Sequence, residues 1–218
     1  MSRTWVFWVL VAIVVAMFAT GPRQGFNSTC INDHCYMSAS TSPQALVVSI
    51  FLTAFVVFYP QAPQTSAYGQ PVSIVEGFSA FFIDFFIGLA AIAPIATLPI
   101  LLAEADATGN FRWAFEREFA RPSDAALALP GVLAIFGFLY AYFYIHPVIG
   151  RQTVGQYVMG FRVEAIPGVG KKPAFGLNVF LGYIGLAMWP VSIYLALSRQ
   201  DKAFWWNLRT RTQVVRVV

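Results

Sequence analysis

The stretch "EGFSAFFIDFFIGLAAIAP", residues 76–94, is almost wholly apolar, yet it carries Asp84 among Phe81, Phe82, Phe85 and Phe86. The rest of the chain has the same character. Of 218 residues, 58% are hydrophobic, 17% aromatic and 11% charged, against about 25% charged in an average soluble protein. A chain this apolar cannot cover its surface with polar groups, so its natural solvent is a lipid bilayer. A charged aspartate at the centre of a membrane helix costs about 2.5–3.5 kcal/mol on insertion scales. Asp84 is therefore expected to face the helix bundle, either paired or protonated.

A spanning helix needs about 20 residues. Four segments are expected to span: residues 5–19, 45–59, 78–103 and 125–145. Residues 1–19 also read as a secretory signal, with Arg3, an apolar run and Ala19. Trp5 and Trp8 suit an anchored helix with interfacial aromatics instead. A fifth stretch, residues 175–197, contains Gly176, Gly182, Gly185 and Pro190. Lys171 and Lys172 precede it; Arg199, Lys202, Arg209, Arg211 and Arg216 follow. Lys and Arg resist translocation, so both flanks are expected in the cytoplasm. That calls for a helix broken near Pro190 that dips in and returns. Both termini then lie on the cytoplasmic side of a bacterial inner membrane, in a multi-pass protein.

The net charge of +4 comes from few groups and forms no basic stripe, so the reading is no nucleic acid and a bilayer as partner. Residues 21–44 hold the only cysteines, in "CINDHCYM". Cys30 and Cys35 are expected to form a disulfide outside the membrane. Free thiols are a second reading. Zinc held by Cys30, Asp33, His34 and Cys35 is a third, and four donors this close strain a tetrahedral site. In "FRWAFEREFAR" the residues Phe111, Phe115 and Phe119 recur every four, which predicts a short helix, either in the membrane interface or packed on protein. "GFRVEAI" and "TQVVRVV" alternate like strands. The sequence shows no internal repeat.

From Val75 onward the chain resembles the RDD family of small bacterial membrane proteins, over about two thirds of its length. The likeness rests on "GFSAFFID", where an aspartate follows an alanine by four, on "GRQTVGQYVMGFRVEAIPGVGKKPAFG", and on "DKAFWWNLRTRTQVVRVV". The middle block is the most specific, with Gly150, Thr153, Gly155, Gly160, Arg162 and Val163 at the family's spacing. Asp84 matches the first aspartate. The family's arginine falls where Glu76 and Gly77 stand, and its second aspartate where Asn207 stands. The family is linked to ion or small-molecule transport.

The expected fold is an all-α membrane protein with four transmembrane helices, a broken or re-entrant carboxy-terminal helix, and a small cytoplasmic two-stranded β element. Residues 1–60 form an amino-terminal transmembrane hairpin with an extracytoplasmic loop, 61–75 a linker and 76–218 an RDD-like membrane domain. The chain lacks a nucleophile elbow, a split metal motif and a cofactor fingerprint, so the reading is no enzyme, no cofactor and no metal. Intramembrane polar candidates are Asp84 and, on the next span, Tyr140, Tyr144 and His146; Tyr142 lies between them. Asp84 reads as a tie between helices, as an ion-coupling carboxylate, or as a docking point. His146 reads as interfacial or as a relay. The preferred function is a non-enzymatic accessory or assembly subunit bound to other membrane protein subunits. The alternative is a transporter-like protein coupling protons or sodium through Asp84.

Overall fold

The computed structural model describes residues 3–20, 25–31, 34–58, 66–67, 72–119, 129–166, 173–198 and 204–217. In chain order these form α1 (Arg3–Thr20), β1 (Gly25–Ile31), β2 (His34–Ser40), α2 (Pro43–Phe58), β3 (Ser66–Ala67), α3 (Ile74–Thr108), β4 (Ala114–Phe119) and α4 (Leu129–Val148). There follow α5 (Val154–Met159), β5 (Phe161–Ala165), α6 (Phe175–Ala187), α7 (Trp189–Leu197), α8 (Trp205–Thr210) and β6 (Thr212–Val217). Lys171, Lys172, Arg199, Lys202 and most of the 61–75 linker lie outside the described residues.

The expectation of four spans plus a broken or re-entrant helix is overturned. Among the described residues two helices are long and apolar enough to cross a membrane: α3 with 35 residues and α4 with 20. A third span is reached if α6 and α7, bent by 104° at their break, count as one. The other two apolar helices are short, Trp5–Ala16 and Pro43–Phe58. The second has 16 residues and is about 24 Å long at 1.5 Å per residue, less than a hydrocarbon core of about 30 Å.

The all-α expectation and the two-stranded element are corrected as well, because two antiparallel three-stranded sheets form, β1-β2-β4 and β3-β6-β5. Residues 21–44, taken for a loop, contribute β1 and β2. The short helix expected in "FRWAFEREFAR" is β4. A spacing of four residues is also an even number, so it suits one face of a strand as well as one face of a helix. Phe115 is half-buried, while Glu116 and Glu118 are exposed.

The chain divides into two compact units. The unit made of Trp5–Tyr59 and Phe86–Leu139 contains the sheet β1-β2-β4. Met37 and Ala39 of β2 pack on Ile100 and Leu101 of α3, with Phe26 and Phe115 beside them. Helix α2 buries Ala45, Ser49, Leu52 and Val56, the one-face spacing of an amphipathic helix. Pro94 sits inside α3 and interrupts its hydrogen-bond ladder at Ala90. On the adjoining carbonyl, Ala91 accepts from the hydroxyls of Ser49 and of Thr53.

The other unit comprises Met1–Thr4, Pro60–Phe85 and Tyr140–Val218. Here β6 is the central strand between β3 and β5. Helix α3 opens with a capping box: Ser73 N donates to Glu76 Oε2 at 2.8 Å and Glu76 N to Ser73 Oγ at 3.3 Å. These reciprocal bonds satisfy donors that a helix start leaves free. Glu76 also accepts both guanidinium nitrogens of Arg216 in β6, each at 3.0 Å. Pro190 stands in the first turn of α7, where a missing N–H removes no helical bond. A structural repeat underlies this unit. Both α5 and α8 have six residues, both end on a left-handed residue, Gly160 (φ 73) and Arg211 (φ 58), and both run into paired strands. Equivalent bonds close the pair: Ile166 N to Arg211 O at 3.1 Å and Val217 N to Gly160 O at 2.9 Å.

Candidate functional site

Asp84 is 2% exposed and lies on α3 opposite the start of α5. Its Oδ1 accepts from Tyr142 Oη at 2.8 Å and from the Gly155 amide at 2.7 Å. Its Oδ2 accepts from Thr153 Oγ1 at 2.5 Å. Every one of these partners donates, so the carboxyl is held as an acceptor at both oxygens. Tyr142 Oη in turn accepts from the Val154 amide at 2.7 Å. Thr153 is the N-cap of α5 and shares a capping box with Gln156. The free amides at the start of α5 thus end on Asp84, Tyr142 and Thr153. A helix start is a favourable place for an acidic group.

Close approach makes this possible. A Cβ added to Gly155 would lie 2.0 Å from the carbonyl oxygen of Ala80 and 2.8 Å from Asp84 Oδ2. Ala80 itself is 2% exposed. The alanine and aspartate four apart on α3 therefore form one seat, and Gly155 fits it because it has no side chain. Gly160 then turns the chain out of α5 at positive φ, a conformation that favours glycine. Gln152 holds this turn by donating to the Phe161 carbonyl at 2.7 Å. Gly150, also at positive φ, follows the end of α4. Arg162, on β5, pairs with Glu164.

The structure separates the expected tyrosines from Asp84. Tyr140 and Tyr144 stack on each other with centroids 6.1 Å apart and lie against Gly176 of α6. Residues two apart on a helix point to nearly opposite sides, so Tyr142 faces Asp84 and its neighbours do not. His146 shares the face of Tyr142. It is 5% exposed, its ring lies 4.6 Å from that of Tyr142, and its Nδ1 is 2.7 Å from the Tyr142 carbonyl. A carbonyl only accepts, so Nδ1 carries the hydrogen.

A second polar cluster sits at α8 and the start of β6. Asn178 of α6 presents its amide nitrogen to Asn207 Oδ1 at 2.9 Å, Thr210 Oγ1 at 2.9 Å and Thr212 Oγ1 at 2.8 Å. Beside both clusters lies a cavity of about 580 Å³, lined by residues of α3, α4, α6, α8 and the β5–β6 pair. Sequence reasoning missed the Asn178 cluster and the Ser73–Glu76–Arg216 arrangement. The second had a readable signal, the S-x-x-E spacing before an apolar run.

The backbones of Cys30 and Cys35 are direct cross-strand partners in the β1–β2 pair; their side chains lie outside the described ones. Among the described residues no group of three or more His, Cys, Asp or Glu is placed to hold a metal. Compared with protein-family models, with curated proteins and with solved structures, the chain matches none significantly.

Proposed function

We propose that this chain is a non-enzymatic, RDD-like protein of the bacterial inner membrane that serves as an accessory or assembly subunit of a larger membrane complex. The observation that carries this reading is the engagement of Asp84. Both of its oxygens are used to fasten α5 onto α3 and α4, which is the work of a structural tie. Depth supports the same reading. Residues 85–103 are an uncharged run between Asp84 and Glu104. At 1.5 Å per residue this run is about 28 Å long, close to the thickness of a hydrocarbon core. Asp84 then lies at the membrane boundary under α5, not at its centre. Exposed aromatics such as Phe82, Phe86, Phe136 and Tyr194 offer faces to lipid or to other subunits.

The experiment is purification in a mild detergent with quantification of every co-purifying membrane subunit. A stoichiometric partner is expected, and a chain that runs alone counts against the reading. The transport alternative has one observation in its favour, since Asp84 also lines the cavity. Proton- or sodium-driven flux in liposomes that is present in wild type and lost in Asp84→Asn would establish it.

A further inference from the structure

We propose that the cavity beside Asp84 binds an uncharged, largely apolar molecule that bears a carbonyl oxygen, the chemistry shared by an acyl ester and a quinone. Its volume of about 580 Å³ falls within the range of small-molecule sites, which are mostly apolar with a few placed polar groups. Phe78, Phe81, Phe143, Val179 and Trp206 supply the apolar wall. The placed polar groups are Tyr183 on α6 and Gln213 on β6. Tyr183 Oη and Gln213 Nε2 are both buried without a hydrogen-bond partner, and both residues line this cavity.

Each of these atoms can donate a hydrogen bond, so together they call for an acceptor. The other polar residues at the wall make bonds within the protein: Asp84 with three donors, Asn178 with Asn207 and Thr212, Ser73 with Glu76, and Gln156 with Thr153. Among the described lining residues there is no Lys or Arg, so none of these offsets a negative charge. An anionic headgroup therefore fits poorly, whereas a neutral carbonyl on an apolar body fits. The inference does not rest on the accessory-subunit reading: a lone protein can bind such a molecule, and a subunit can lack it.

The test uses the full chain purified in an ester-free maltoside detergent, with three probes: decyl-benzoquinone, monoolein, and hexadecane as the probe without an acceptor. Binding is read by native mass spectrometry and by the shift in melting temperature. At least one carbonyl probe should bind saturably at one per chain, and hexadecane should not. Binding of the quinone alone assigns a quinone, of monoolein alone a lipid ester, and of both the carbonyl itself. Gly182→Leu fills the cavity. A Cβ there meets only Trp206 Nε1 at 4.0 Å, and leucine is the better helix former, so this variant should fold and lose binding. Tyr183→Phe and Gln213→Met should leave the probe-free melting temperature unchanged or higher, because each removes an unpaired buried donor. Each should weaken binding about tenfold, the loss of one hydrogen bond to a neutral acceptor. The proposal is overturned if neither carbonyl probe binds saturably, if binding survives in Gly182→Leu, or if both Tyr183→Phe and Gln213→Met keep full affinity.

Discussion

At the scale of single residues, Gly155 and Asp84 are the two halves of one contact. Gly155→Ala would place a methyl 2.0 Å from the Ala80 carbonyl oxygen. Backbone cannot yield as a flexible side chain can, so α5 must lift from α3 and lose the amide bond to Asp84. A loss of about 3 kcal/mol is expected, the upper end for overpacking, read as a large drop in melting temperature in detergent. Unchanged stability would show that the contact is not tight in the protein. Asp84→Asn should be milder. An amide retains one acceptor oxygen for Tyr142 and Gly155, and the Thr153 hydroxyl can rotate to accept from its nitrogen. Asp84→Leu leaves the Tyr142 and Thr153 hydroxyls and the Gly155 amide without an acceptor, at about 1–3 kcal/mol each. Monodisperse Asn protein and aggregated Leu protein on size exclusion would bear this out, and the reverse order would refute it. The sequence made Asp84 legible as a buried acid, because every other residue from Ala80 to Ala93 is apolar. Its partners were legible only in part. Thr153 and Gly155 stood out as motif positions, but their target lies some 70 residues away, as the Asp84–Gly155 bond shows. Among four polar aromatic side chains on α4, nothing in the sequence says which one faces α3.

At the scale of elements, long apolar helices were legible, as were β5 and β6 from the alternation in "GFRVEAI" and "TQVVRVV"; the strands β1, β2 and β4 were not. Helices α3 and α4 announce themselves by length and composition. Strands β1 and β2 are rich in serine and threonine and read as loop, and β4 carries a spacing that suits either structure. The repeat of short helix, left-handed residue and strand was invisible because its two copies share geometry without sharing residues: "VGQYVMG" and "WWNLRTR" have little in common. The comparison exposes a strained position. Gly160 holds the left-handed turn without cost, whereas Arg211 adopts φ 58 with a side chain, which costs about 1–2 kcal/mol. Arg211→Gly should therefore stabilise the protein by up to about 1 kcal/mol after the added freedom of the unfolded chain is subtracted, and Gly160→Arg should destabilise it. A lower melting temperature for Arg211→Gly would mean that the arginine side chain contributes more than its strain costs. In the other sheet, Cys30 and Cys35 are backbone partners across the hairpin. Paired residues of an antiparallel ladder have Cα atoms about 4.5–5.5 Å apart, within the range a disulfide requires. Protein purified without reductant should take up no iodoacetamide until it is reduced, and two labelled thiols beforehand would count against the bond.

At the scale of the whole molecule, charge distribution sets the orientation. The unit of Trp5–Tyr59 and Phe86–Leu139 holds four of the 14 Lys and Arg, namely Arg23, Arg112, Arg117 and Arg121, together with six of the ten Asp and Glu. The remaining cations lie in the unit that contains the start of α3, the end of α4 and everything after it. Lys and Arg near span ends resist translocation, and Asp and Glu contribute little. On this ground we propose that the start of α3 and the end of α4 face the cytoplasm. The Glu76–Arg216 pair ties the carboxy-terminal strand to the start of α3, which supports placing the carboxy terminus on that same side in the proposed topology. The proposed topology places the amino terminus on that side as well. Alkaline phosphatase, active only outside the cytoplasm, should therefore be inactive when fused after Val217 and active when fused after Asn110, in the turn between α3 and β4. Activity at the carboxy terminus would reverse the assignment. Activity at both fusions would break it in a more informative way: the carboxy terminus could then no longer be fastened to the start of α3, and Glu76→Gln, which weakens that fastening, should increase the carboxy-terminal signal further.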